Sequence, residues 1–254
     1  MRLTILGCGT SSGVPRIGGD WGDCDPADPR NRRTRASILI ETAGTRILVD
    51  TGPDLRAQLL AADAGMLDAV IWTHEHADHI HGIDDLRQVF HLRGTPIPGY
   101  ARPETLAILD RRFHYVFHGR GGYPPTVAPQ VLTSLNRIGD IEVRSVDQPH
   151  GHITSCGLRF DHGRRSIGYA TDFSTITEDM MRLFDRLDVF VVDALRRTPH
   201  PTHAHLAMVL DAVQKLQPGR TYLTHMDQSM DFATLEAELP PGIAPGVDNQ
   251  VVTV

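Results

Sequence analysis

Short runs of apolar and β-branched residues bounded by turn residues recur along most of the chain, and each reads as a buried strand. The first, Leu3 to Leu6, stops at Gly7-Cys8-Gly9-Thr10-Ser11-Ser12-Gly13, a loop of small residues that lets backbone come close to a ligand. That loop lacks the Gly-Lys-Ser/Thr ending of a nucleotide phosphate loop and opens no obvious helix. After a polar stretch from Pro15 to Arg35, the runs Ser37–Glu41 and Arg46–Val49 flank Thr42-Ala43-Gly44-Thr45, which is hairpin chemistry. Ala69–Thr73, Ile141–Val146, Gly157–Phe160, Ser166–Ala170, Val189–Val192, Arg220–Leu223 and Gln250–Val254 continue the series. Leu55, Leu59, Leu60 and Met66 fall at helical spacing, as do apolar positions within Thr177–Leu187 and His203–Leu216. Strands with interspersed helices predict an α/β fold of two sheets sandwiched between helices. For 254 residues this is expected as a single domain. The stretch 111–129 breaks the pattern, with Phe113, Tyr115, Phe117 and Tyr123 among glycines and prolines and no clean period. It reads as an insertion, whether a lid, a homodimer arm or an ordinary packed segment.

Composition narrows the partners. A net charge of −6 gives no overall field favouring nucleic acid or an anionic membrane surface, so any phosphate binding must be local. The one basic run, Arg30, Arg32, Arg33 and Arg35, has the charge to contact nucleic acid but reads first as a solvated loop ahead of a strand. Cys8, Cys24 and Cys156 are odd in number and far apart, which argues against a disulfide framework and fits a reducing cytoplasm. The apolar stretch before Gly7 is too short for a signal peptide, and no apolar run is long enough to span a membrane.

The candidate chemistry is concentrated in His74-Glu75-His76-Ala77-Asp78-His79, directly after a predicted buried strand. His74, His76, Asp78 and His79 can each ligate a metal through imidazole nitrogen or carboxylate oxygen. Residues two apart point the same way from extended chain, so His74 and His76 can share one ion while the following turn aims Asp78 and His79 at a second. Left unpaired at a strand end, such groups would carry heavy desolvation penalties. Isolated histidines such as His91, His114 and His162 read as ordinary structural residues.

His-x-His-x-Asp-His after a hydrophobic strand, with Asp50-Thr51-Gly52 upstream, resembles the signature of the metallo-β-lactamase superfamily, which implies a four-layer αββα sandwich. The resemblance implies three more ligands: His150 in Gln148-Pro149-His150-Gly151, with His152 as the alternative; Asp172 in Tyr169-Ala170-Thr171-Asp172, bridging both ions; and His225 in Leu223-Thr224-His225. Asp172 also suits a helix cap ahead of Thr177. Within the superfamily the chain resembles the phosphoribosyl 1,2-cyclic phosphate phosphodiesterases (PhnP-like) and the tRNA 3′-processing endonucleases. This closer likeness rests on Leu6-Gly7-Cys8-Gly9-Thr10-Ser11-Ser12-Gly13-Val14-Pro15, Arg32-Arg33-Thr34-Arg35-Ala36-Ser37, Asp193-Ala194-Leu195 and His203-Ala204-His205-Leu206.

What the resemblance implies is a hydrolase with two divalent ions, zinc or manganese, cleaving a small phosphodiester, cyclic ones included, by attack of a metal-bridging hydroxide. Catalytic roles fall to His203, Asp78 and Asp172, with His205 competing for the place of His203 at a helix start. Arg196 and Arg197 lie nearby in sequence as holders of a second oxyanion, or simply as solvent-facing charges. The phosphonate-pathway enzymes carry a further structural zinc on cysteines after the first strand; this chain has only Cys24 there, so that ion is not expected. Other activities on the same fold are tRNA processing, thioester or lactam hydrolysis, and a non-catalytic carrier role in cofactor biosynthesis.

Overall fold

In the computed structural model, which describes residues 1–254, the apolar runs sort into two faces. One sheet holds β1 (Arg2–Gly7), β2 (Ser37–Glu41), β3 (Arg46–Val49), β4 (Ala69–Ile71), β5 (Ile97–Ala101), β6 (Val127–Val131) and β14 (Gln250–Thr253), in the order β14-β1-β2-β3-β4-β5-β6. The other holds β7 (Leu135–Ile138), β8 (Ile141–His150), β9 (Ile153–His162), β10 (Arg165–Ala170), β11 (Val189–Asp193), β12 (Arg220–Thr224) and β13 (Ile243–Pro245), in the order β13-β12-β11-β10-β9-β8-β7. Both sheets are mixed, with β3 to β6 and β10 to β13 running parallel.

Alternation of side chains across a strand assigns each residue to a layer. Ile38, Ile40, Ile47, Val49, Ala69 and Ile71 join Val143, Leu158, Phe160 and Ile167 of the other sheet in the inner core. Their neighbours Leu39, Leu48, Val70 and Trp72 point the opposite way, against the helices α1 (Leu55–Ala61), α2 (Ala77–Ile80), α3 (Leu86–Arg93), α4 (Pro103–Arg112) and α5 (His114–His118). The helices α6 (Glu178–Leu183) and α7 (Leu206–Leu216) cover the second sheet through Met180, Val209, Ala212 and Val213. A last helix, α8 (Phe232–Glu238), follows β12. The result is the expected sandwich of two sheets between helices, with the first sheet's strand pair β2–β3 bounded as the sequence predicts.

Several elements differ from expectation. The strands β8 and β9 run on to His150 and His162 because they pair continuously from Glu142 opposite Asp161 to His150 opposite Ile153. Residues 111–129 comprise the end of α4, α5, a glycine turn and the start of β6, packed on the first sheet through Val116, Phe117 and Val127. The basic run is not a solvated loop: Arg33 is 3% exposed, with its guanidinium donating to the carbonyls of Asp227 and Met230. Arg30 pairs with Asp28 and Glu236, Arg32 lies over the Trp21 ring, and Arg35 pairs with Asp54. Buried carbonyl oxygens of the 227–230 loop require donors, and Arg33 supplies them.

The same long loop is tied to α8 by Asp231, which accepts from the amide of Asp25, the side-chain amide of Asn31 and the amide of Thr234. Burial opposes the charge of Asp231, but these hydrogen bonds outweigh it and hold the carboxyl well below the usual carboxylate range. A depressed pKa contributes stability that is present above the unfolded value and lost as pH falls toward the folded one. Asp231→Ala is therefore expected to destabilise by about 1 kcal/mol at neutral pH. In urea melts the gap to the wild type should shrink at acid pH; a gap independent of pH would contradict the assignment. Cys8, Cys24 and Cys156 are buried free thiols, and no helix is long and apolar enough to cross a membrane.

Candidate metal centre and its surroundings

The parallel strands of both sheets deliver their carboxyl ends to one edge, where open α/β sheets gather their sites. There the chain leaves three strands through single left-handed residues: Asp50 after β3 (φ 64°), Asp172 after β10 (φ 55°) and His225 after β12 (φ 56°). Such a conformation at a residue other than glycine is disfavoured by about 1–3 kcal/mol and is held by its surroundings. Each of the three turns its strand abruptly and leaves a buried polar side chain at the edge. Asp172 is thus a strand-end turn, not the cap of α6, which is Thr177.

Asp50 braces the histidine segment. Its carboxylate accepts from the Thr73 amide at 2.8 Å and the Thr73 hydroxyl at 2.8 Å, and it faces His79 Nδ1 at 2.8 Å. That leaves Nε2 of His79 as the free ring nitrogen. His74 follows β4, His76 is the residue ahead of α2, and Asp78 and His79 lie within that short helix. Gly52 and Gly82 allow the two loops to close on one another, since a Cβ on Gly82 would lie 2.0 Å from the carbonyl oxygen of Gly52. His150 ends β8 with Nδ1 2.7 Å from the carbonyl of Thr202, which orients its ring and frees Nε2.

These side chains converge in two groups, overlapped by a third in which His203 joins Asp172 and His225. The ligand atoms of His74, His76, His150 and Asp172 lie within 4.8 Å of one another, as do those of Asp78, His79 and His225. Asp172 stands between the groups: Oδ1 is 3.9 Å from His74 Nε2, 3.7 Å from His150 Nε2 and 3.5 Å from His225 Nε2, while Oδ2 is 3.2 Å from His79 Nε2. Asp78 Oδ2 lies 3.3 Å from His79 Nε2 and 3.4 Å from His225 Nε2. His152 is exposed on the β8–β9 turn and belongs to neither group.

The donor set fits divalent cations. His74 Nε2 and His79 Nε2 are buried and have no hydrogen-bond partner, and His150 Nε2 and His76 Nδ1 face each other at 3.1 Å. Orphaned buried ring nitrogens are costly unless something supplies their partner. Burial pushes His74 well below its ordinary pKa, leaving a neutral imidazole suited to ligation. Burial likewise opposes charge on His225, but Asp172, Asp78 and Asp193 outweigh it and raise it to about 9. Burial works against the Asp172 and Asp78 carboxylates too, yet the surrounding imidazoles hold both well below the usual range. This half of the cluster therefore demands positive charge, which a divalent cation meets.

His203 approaches from the second sheet. It lies in the loop between β11 and α7, not at a helix start as expected: α7 begins at Leu206, and His205 is extended and bridged to Arg196. Its orientation comes instead from Asp193, whose Oδ2 is 3.2 Å from His203 Nδ1. His203 is 15% exposed, its Nδ1 is 3.6 Å from Asp172 Oδ1, and its ring stacks on that of His225 with centroids 5.0 Å apart. The fully buried Asp193 also accepts from the backbone amide of Asp172 at 3.2 Å and lies 4.0 Å from His225 Nδ1. Asp50 and Asp193 stood out in the sequence as parts of motifs without a role; the signal available was an aspartate at the end of each apolar run. Arg196 bonds carbonyls of its own loop and Arg197 pairs with Glu238.

Comparison with known proteins agrees with this geometry. Residues 45–226 match the Beta-lactamase superfamily domain. A diphosphatase of the PhnP family superposes with a TM-score of 0.91 at 34% identity, over 100% of this chain and 97% of that one. An octanoyltransferase of Porphyromonas gingivalis is 33% identical over 258 residues, which is 98% of this chain and 50% of that protein. A ribonuclease Z of Bradyrhizobium sp. (strain ORS 278) is 29% identical over 137 residues, 52% of this chain and 46% of that protein. The chain thus spans about half the length of these curated relatives. Because the family match covers well over half of the chain and runs through every strand end from Asp50 to His225, the protein belongs to the metallo-β-lactamase superfamily, with PhnP-type and ribonuclease Z relatives.

Proposed function

We propose that the protein is a dinuclear metal-dependent hydrolase of small phosphodiesters, cyclic ones included, and of diphosphate anhydride linkages. His74, His76 and His150 would hold one cation and Asp78, His79 and His225 the other, with Asp172 between them. Mixed imidazole and carboxylate donors suit zinc or manganese. Bound there, such cations supply Lewis acidity that generates a nucleophile from water near neutral pH and offsets the charge of a phosphate.

The observation that carries the reading is His203, a partly open imidazole held over the cluster by a buried carboxylate. With Nδ1 turned to Asp193, Nε2 is the nitrogen left for substrate. From Nε2 it donates a hydrogen bond to the phosphate as charge grows, and a proton to the departing oxygen. Asp193 accepts from Nδ1 and holds the angle of the ring. The buried Asp172 and Asp78, which is 12% exposed on the side facing solvent, keep the cluster's charge balanced.

The likeness to a diphosphatase over the full chain supports phosphorus as the point of attack. The net charge of −6 and the internal use of Arg30, Arg33 and Arg35 count against an extended RNA substrate. The test is a panel of purified substrates: an aryl phosphodiester, a cyclic nucleotide, a diphosphate-linked dinucleotide, a precursor tRNA and a thioester. Turnover of one or more of the first three, with the tRNA uncut, is expected. Activity confined to the tRNA or the thioester would overturn the reading, and so would active protein found free of metal.

A further inference from the structure

The histidine His114, isolated in sequence terms, has a close neighbour in space. A break at Phe113 (φ −126°, ψ 39°) separates α4 from α5 and brings Asp110, His114 and His118 onto one exposed side of the corner. The two imidazoles stack with centroids 4.1 Å apart and planes at 24°. Both turn a ring nitrogen to the same carboxylate oxygen: His114 Nδ1 is 3.2 Å and His118 Nε2 is 2.8 Å from Asp110 Oδ1. All three ligand atoms lie within 4.8 Å of one another.

We infer that Asp110, His114 and His118 form a third divalent-cation site, separate from the candidate catalytic cluster, of the borderline class that favours two nitrogens and one oxygen. Two ligand atoms of a tetrahedral zinc, each about 2.0–2.1 Å from the ion, stand roughly 3.3 Å apart. The nitrogen-to-oxygen separations are already close to that value, so a cation replaces the two ring protons shared with Asp110 after small side-chain rotations. Histidines four positions apart on helical chain are side-by-side neighbours, and the fourth coordination place is open to water. Zinc, nickel and copper suit imidazole; magnesium and calcium prefer oxygen shells.

The position gives such a site something to act on. Arg112, between Asp110 and His114 in the chain, donates from Nη1 to the carbonyl of Glu75 at 2.7 Å. Glu75 lies between His74 and His76, and the Phe113 ring packs edge-on against His81, with centroids 5.8 Å apart. A cation clipping α4 to α5 across the break stiffens the corner that braces the histidine segment.

Zinc, nickel and copper are titrated into holoprotein whose catalytic positions are already filled, with binding followed calorimetrically and copper also by electron paramagnetic resonance. One further equivalent per chain is expected, weaker than the first two, with copper showing coupling to two imidazole nitrogens. The His114→Ala/His118→Ala double variant should lose that equivalent, Asp110→Asn should weaken it at least tenfold, and both should keep wild-type turnover in the absence of added metal. Circular dichroism of each variant confirms folding, and the single His118→Gln serves if the double variant folds poorly. An extra equivalent that persists in these variants, or none in the wild type, overturns the inference. Because the readout is binding to already loaded protein, it stands or falls independently of the substrate panel.

Discussion

Asp172→Ala is expected to emerge from purification with both catalytic cations lost and with turnover reduced by more than about a thousandfold, equivalent to about 4 kcal/mol of transition-state stabilisation. The reason is its position: one oxygen faces His74, His150 and His225 and the other faces His79, so it reaches both groups, whereas Asp78 faces only His79 and His225. Without it, four buried imidazoles lose the charge that makes the cluster attractive to cations. Breaking a buried charge pair by removing one partner typically destabilises by about 3–5 kcal/mol, so the melting temperature should fall as well. Elemental analysis beside a thermal melt gives the answer, and Asp172→Asn, which keeps the shape and removes the charge, separates electrostatics from packing. Two equivalents of metal and near-normal rate in Asp172→Ala would end the assignment.

The second large effect has the opposite metal signature. His203→Ala should keep both cations, since each of the two groups retains three or more ligands without it, while turnover falls by about 10²–10⁴-fold as general acid assistance is lost. The leaving group makes the test specific. A p-nitrophenolate departs without a proton, so the loss should be small on an activated aryl diester and large on an alkyl or cyclic one. Equal losses on both would exclude proton donation and leave only a binding role. Asp193→Asn should fall between the wild type and His203→Ala, in kcat more than in KM, because it acts through the orientation of His203.

How far the sequence could be read depended on whether the needed contacts were local. His74, His76, Asp78 and His79 occupy consecutive positions at a strand end, so their convergence followed from strand and turn geometry alone. The hairpin of β2 and β3 was legible for the same reason. The strand β5 was not: Ile97-Pro98-Gly99-Tyr100-Ala101 contains both residues that ordinarily mark a turn. It is a strand because Gly99 gives room to Trp72, whose ring would lie 2.6 Å from a Cβ there, and because β4 and β6 pair on either side. Arg33 reads as a surface charge because the carbonyls it satisfies lie 194 and 197 residues away. Apolar Ala204 and Leu206 make the helix read as starting at His203, whereas His205 is held extended by its bridge to Arg196 and the helix begins at Leu206. Asp193 carries a visible motif, but only the folding-back of the loop after β11 and the neighbouring ends of β10 and β12, which set its carboxylate beside His203, His225 and the Asp172 amide, reveal what it holds.

The left-handed backbone at Asp50, Asp172 and His225 reaches beyond catalysis. A β-branched or bulky residue at any of the three would have to bear a torsion that glycine, asparagine and aspartate tolerate best. Natural variation at these places is therefore screened by shape before chemistry is tried. At Asp50 and Asp172, asparagine and glycine remove the carboxylate and still fit that torsion, so of the replacements that discharge the cluster these strain the backbone least.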